Sequence, residues 1–201
     1  MTDVDGTRER LLKAAIALLE TDGEAALRVD QVVETAGFTK PVLYHHFADR
    51  KALIVAAQVE RYRRSLDEGV AALVGAVEGA HNSEMFVNQL LEAIGDFTSQ
   101  EGRHRRRLRI EILGSTMQHP ELHAAIIEAN RQFVATLGDF LVRARKAGFI
   151  APKRDPHNLA AWWLSVVVGR YVIDVDADRF SDDEWTAIVL STVRFLIAGE
   201  R

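Results

Sequence analysis

Residues 28–47 read RVDQVVETAGFTKPVLYHHF. An apolar pattern at Val32, Val33 and Ala36 stops at Gly37, and a second short one begins after Thr39. Glycine at that junction allows the backbone to reverse. The stretch therefore predicts a helix over 29–36, a tight turn, and a second helix over 40–46. Thr39 stands where the second helix needs an N-cap, and Pro41 falls in its first turn, where a missing N–H matters little. Leu43 and Phe47 lie four apart on one face and are expected to pack inward. Lys40, Pro41, Val42, Tyr44 and His45 fall mostly on other faces. A short exposed helix with Lys, Tyr and His near its N-terminal half suits the major groove of DNA.

The rest of the chain reads as helix too. Its four prolines are Pro41, Pro120, Pro152 and Pro156, and the long stretches between them are rich in Ala, Leu, Glu and Arg. No strand-like alternation of useful length appears. Helices are expected over 7–21, 50–77, 83–99, 103–117, 120–146, 156–175 and 181–198. Asp22-Gly23 is expected to end the first of these, and Ser181 with Glu184 reads as a capping box for the last. No internal repeat or low-complexity tract is present.

The chain has 201 residues, 48% apolar and 27% charged, which excludes disordered, collagenous and low-complexity classes. With no cysteine, disulfide scaffolds, thiolate zinc sites, Cys nucleophiles and iron–sulfur clusters are excluded, and a reducing cytoplasm fits. The start, Met1-Thr2-Asp3-Val4-Asp5, lacks the pattern of a signal peptide, and the apolar stretch near 159–169 is too short to span a bilayer. Cytoplasmic localisation and no membrane partner are expected. Net charge is −4, but it is uneven: zero over 1–64, seven negative over 65–102, seven positive over 103–154 and four negative over 155–201. Nucleic-acid binding must therefore rest on a local surface.

The stretch from Ala36 to Phe47, continued by Arg50-Lys51-Ala52-Leu53, resembles the N-terminal domain of TetR-family transcriptional regulators, whose pattern is A-G-V-S-x-x-x-L-Y-x-x-F-x-x-K-x-x-L. The match covers roughly residues 7–55, with glycine, cap, Leu-Tyr, Phe and basic residue all in register. It implies an all-α fold: an N-terminal three-helix helix-turn-helix domain over 1–50, then a larger helical effector-binding and dimerisation domain over 51–201. It also implies roles. Thr39, Tyr44 and Arg50 match positions that hold DNA phosphates, and Lys40, Pro41, Val42 and His45 match positions that face base edges. Arg28 stands where the family often has threonine; an arginine there still reaches a phosphate. With His46, these residues make up the expected DNA-binding set.

Thirteen of the seventeen residues 159–175 are apolar, and Trp185, Ile188, Val189, Leu190, Val193, Phe195, Leu196 and Ile197 make the last helix similar. A helix apolar nearly all round is buried nearly all round. In a small helical domain, two such helices suggest a subunit interface, and the resemblance implies a four-helix bundle across a two-fold axis. The DNA partner is then an inverted-repeat operator. The resemblance also implies a small-molecule effector among the middle helices. Phe86, Leu90, Phe97, Met117, Phe133, Trp162 and Trp163 are the expected lining residues, and as a set they point to a hydrophobic ligand; each alone also reads as ordinary core.

Other constellations carry less. His119 and His123 have metal-ligand spacing, but Pro120 places His119 before the helix starts; solvated surface histidines are expected, with no metal and no other cofactor. Asp174, Asp176 and Asp178 resemble the start of a calcium loop, but Arg179 holds the place of its glycine and Trp185 that of its closing glutamate. A polar turn is expected there. The run Arg103, Arg105, Arg106, Arg107 and Arg109 reads as a solvated face offsetting Glu101 and Glu111, or as a site for an anion or a DNA-facing loop. No phosphate-binding glycine loop, nucleophile elbow or H-E-x-x-H motif supports an enzyme. The expected function is a sequence-specific repressor released by a ligand. The alternative is a helical ligand-binding or interaction module that does not read DNA.

Overall fold

The computed structural model describes residues 4–95, 99–176 and 181–198, and every regular element among them is a helix. In order they are α1 (Val4–Ala26), α2 (Val29–Ala36), α3 (Lys40–His46), α4 (Arg50–Ala76) and α5 (Ser83–Gly95). Then follow α6 (Gln100–Ser115), α7 (Pro120–Lys146), α8 (Pro156–Gly169), α9 (Tyr171–Asp174) and α10 (Asp182–Ala198).

The α2–α3 junction forms as its sequence predicts. Gly37 adopts φ 72°, and the Phe38 N–H behind it donates to the Val33 carbonyl at 2.8 Å, closing the C-terminus of α2. From α1, Arg10 donates Nη2 to the Ala36 carbonyl at 2.8 Å and lays its guanidinium 4.6 Å over the Phe38 ring. Gly23 leaves helical geometry with φ 76° and ψ 173°, so the first helical run of α1 ends at Asp22-Gly23 as expected and a short second run continues to Ala26.

Two apolar clusters follow one another along α4. Leu11, Ala15, Leu27, Val32 and Leu43 are fully buried with Leu53 in the first, which reaches Ala57. The second begins at Tyr62 of the same helix and includes Ile112, Leu122 and Ala160. The division expected at residue 50 thus falls beside the Asp49 cap of α4, whose carboxylate accepts the Ala52 N–H at 2.7 Å, and α4 itself enters both clusters. In the second cluster α7 packs along α4 and α8. At Gly138 a Cβ would lie 2.3 Å from the His157 ring, so α7 and α8 meet where a side chain does not fit.

The helix expected over 156–175 is interrupted. Asp155 caps α8 by accepting the Asn158 N–H at 3.0 Å, and at the break Arg170 keeps helical dihedrals (φ −56°, ψ −30°) with its side chain buried. There it donates to Asp182, on α10. Arg103 donates to the other oxygen of Asp182 at 2.6 Å, and buried Arg106 donates Nε to Asp174 at 2.6 Å. Two expectations are corrected. The arginine run is not simply a solvated face, because Arg106 and Arg109 are buried and the half-exposed Arg103 pairs with Asp182. Asp174, expected in a polar turn, is instead the last residue of α9, with its side chain a buried acceptor. Asp178 and Arg179 lie outside the described residues. Burial alone would raise the Asp182 pKa, but the hydrogen bonds from Arg103 and Arg170 overcome it and hold the carboxyl below its ordinary range.

Candidate nucleic-acid interface and effector cavity

The helix-turn-helix is held from beneath by Leu43 and Phe47, both buried, with the Arg8 guanidinium 5.2 Å over the Phe47 ring. Those anchors leave Thr39, Lys40, Pro41, Tyr44 and His45 exposed on α3, with Val42 and His46 half-buried. Tyr44 keeps 48% of its surface exposed. Thr39 has N-cap backbone geometry (φ −115°, ψ 160°), yet its hydroxyl makes no cap hydrogen bond. Lys40 Nζ sits 2.7 Å from Asp30 on α2; that hydrogen bond and the carboxylate charge raise the Lys40 pKa. The His45 and His46 rings meet edge to face at 5.3 Å.

The other two expected phosphate ligands hold backbone carbonyls. Arg50 donates Nε to the Leu27 carbonyl at 3.0 Å and Nη2 to the Glu24 carbonyl at 2.7 Å. Arg28 donates to the Ala25 carbonyl at 2.9 Å. Both guanidiniums are thus gathered on the α1–α2 connection. No local pattern announces this, because Arg50 lies more than twenty residues from its acceptors.

Two adjoining compartments open inside the second cluster. One is apolar, lined by Leu90, Leu137, Phe140, Leu159 and Trp162 among others. The second has a polar end made by Arg105 and Arg109 beside Gly69, with Phe133 opposite. Leu73, Ile94 and Trp163 line both. Of the expected lining residues, Leu90, Phe133, Trp162 and Trp163 meet here. Phe86 instead stacks in the core between Phe140 and Phe149, at 5.9 and 5.2 Å. Met117 is a correction: it stands 90% exposed in the turn before α7, where the chain leaves the core. Phe97 lies outside the described residues. Burial pulls the Arg109 pKa down to about 10, still charged at neutral pH.

Residues 11–57 match the family model for bacterial regulatory proteins of the tetR family. The chain is 25% identical over 198 residues to the HTH-type transcriptional regulator UidR of Escherichia coli strain K12, covering 98% of this chain and 94% of that one. It is 24% identical to the HTH-type transcriptional activator FasR of Mycolicibacterium smegmatis, over 97% and 83% of the two chains. Among solved structures, Salmonella enterica GusR superposes with a TM-score of 0.67 at 20% identity, covering 98% of each chain. Residues 11–57 thus carry a tetR-family DNA-binding domain. Regulators of this family bind DNA and form dimers.

The helix-turn-helix is also tied sideways to the helices behind it. His119, at the start of α7, lies with Nε2 2.7 Å from a carboxylate oxygen of Glu24. Lys51 Nζ lies 3.0 Å from Glu121 on the same helix. His119 therefore belongs to a contact between α1 and α7 and not to the solvent. Among the described residues no group of three metal-ligating side chains gathers, and no helix is long and apolar enough to cross a membrane.

Proposed function

We propose that this regulator is a cytoplasmic, non-enzymatic repressor that binds an inverted-repeat operator as a homodimer and leaves it when a small, largely apolar ligand enters the paired compartments. The observation that carries the reading is the anchored, outward-facing α3, with Leu43 and Phe47 fixed beneath and Tyr44 and His45 free above. In this reading Lys40, Pro41, Val42, His45 and His46 approach base edges. The hydroxyls of Thr39 and Tyr44 meet phosphates. Arg50 positions the α1–α2 connection, since a phosphate would have to displace two carbonyls from it. Arg28 acts alongside it.

The proposed dimer joins through α8–α10. Val172, Val175, Ile188 and Phe195 each expose between 57% and 71% of their surface, unusual for apolar side chains on the last helices of a domain. Ile188 and Phe195 are two turns apart on one face of α10. The ligand acts by population shift, favouring a spacing of the two α3 helices that no longer matches successive major grooves.

Selection of random duplex DNA on the purified protein, followed by titrations at several salt concentrations, tests this reading. Enrichment of an inverted repeat and a steep fall of affinity with salt are expected. No enrichment and no salt-dependent affinity would overturn it in favour of a helical ligand-binding module, a reading favoured by the internal engagement of Lys40, Arg28 and Arg50. FasR bears the name of an activator, so a promoter–reporter assay decides the direction of control.

A further inference from the structure

Arg109 is 5% exposed. It donates Nε to the Ser65 hydroxyl at 3.1 Å and Nη2 to the Ser65 carbonyl, both neutral acceptors. Among the described residues no carboxylate lies within ion-pair distance of it. Its neighbours on α6 differ: Arg103 meets Asp182 and Arg106 meets Asp174. Arg105 holds Glu101 only loosely, at 3.4 Å. Besides burial, which disfavours its cation, Arg109 is opposed by Arg105 and Arg106 and favoured by Tyr62 and, least, by Glu68 on α4. A buried cation without a counter-ion is costly, and the cost falls when an anion arrives. Arg109 and Arg105 both line the polar end of the second compartment, next to Gly69, where no side chain fills the space. Leu73, Ile94 and Trp163 also line the neighbouring compartment, which has almost no polar surface.

We propose that the effector is an amphipathic organic acid whose carboxylate pairs with Arg109 and whose apolar body lies past Trp163 among Leu90, Phe140 and Trp162. The proposal deepens the effector reading above and rests on it. A guanidinium presents parallel N–H groups that match a carboxylate. The apolar compartment offers an alcohol of the same skeleton as much contact as the acid, so the head group alone sets the preference.

The test compares decanoate with 1-decanol on the full-length protein without DNA, read by tryptophan fluorescence and thermal shift. Decanoate is expected to bind at least about tenfold more tightly than decanol, as a charge-assisted pair predicts. Arg109→Gln removes the preference, Arg109→Lys keeps part of it, and Arg107→Gln, on the exposed side of α6, leaves it intact. Should Arg109→Gln fail to fold, Gly69→Leu fills the polar end and is expected to abolish decanoate binding. Equal binding of acid and alcohol to the wild type, or an acid preference that survives Arg109→Gln or Gly69→Leu, overturns the proposal. Because DNA is absent, Arg109-dependent acid binding by a protein that selects no operator overturns the regulator reading alone.

Discussion

Tyr44 and Leu43 are neighbours in the chain with opposite fates: the leucine is wholly buried and the tyrosine half-exposed. That contrast follows from helical geometry, which turns successive side chains about 100° apart. If the Tyr44 hydroxyl meets a phosphate in each protomer, Tyr44→Phe weakens binding to operator and random duplex by the same factor. The salt dependence of binding stays as it was, because a hydroxyl carries no charge and releases no counter-ion. A loss confined to the operator in such titrations rejects the phosphate contact. Arg50 is a different case. Its two carbonyl acceptors make it a brace, so Arg50→Ala is expected to reduce stability by about 1–3 kcal/mol, measured by denaturant unfolding. Unchanged stability with a shallower salt dependence would return Arg50 to the DNA.

Among the elements, α7 was legible in the sequence at both ends, because Pro120 at its first turn and Gly148 beyond its end are local signals. The same holds for α2 and α3, where Gly37 and Thr39 mark the boundaries. The interruption between α8 and α9 was not legible. It is a single-residue irregularity at Arg170, whose dihedrals stay helical (φ −56°, ψ −30°) and whose ion pair with Asp182 apolar periodicity does not see. The arginine run on α6 was opaque for a related reason: the partners of Arg103 and Arg106 lie 79 and 68 residues away. Of the proposed contact set, the exposed faces of the α3 residues were readable from register, whereas the carbonyl partners of Arg50 required the fold. The Asp182 junction also sets a pH dependence. Its carboxyl is held below the ordinary 3.8, so its contribution to stability is complete above that pH and is lost as pH falls through the lower folded value. Asp182→Asn should therefore lower the unfolding temperature clearly at pH 7 and much less at pH 3, as scanning calorimetry would show.

At the scale of the whole molecule, the proposed homodimer makes a demand on the last helices. Replacing both Val172 and Phe195 by Asp places like charges on a face that two copies must share. The variant is expected to sediment as a monomer at micromolar concentration with its helix content intact, and to lose operator affinity with the second half-site. A variant that remains dimeric would move the interface elsewhere. Finally, α4 carries Leu53 and Ala57 in one cluster and Leu73 at the wall of both compartments. At 1.5 Å per residue its length is about 40 Å. A rigid shaft of that length, tilted by about 5° at the compartment end, displaces its far end by roughly 3 Å, close to the rise of one base pair. The Glu24–His119 and Lys51–Glu121 contacts grip that far end. They decide whether the shaft swings freely or carries α7 with it.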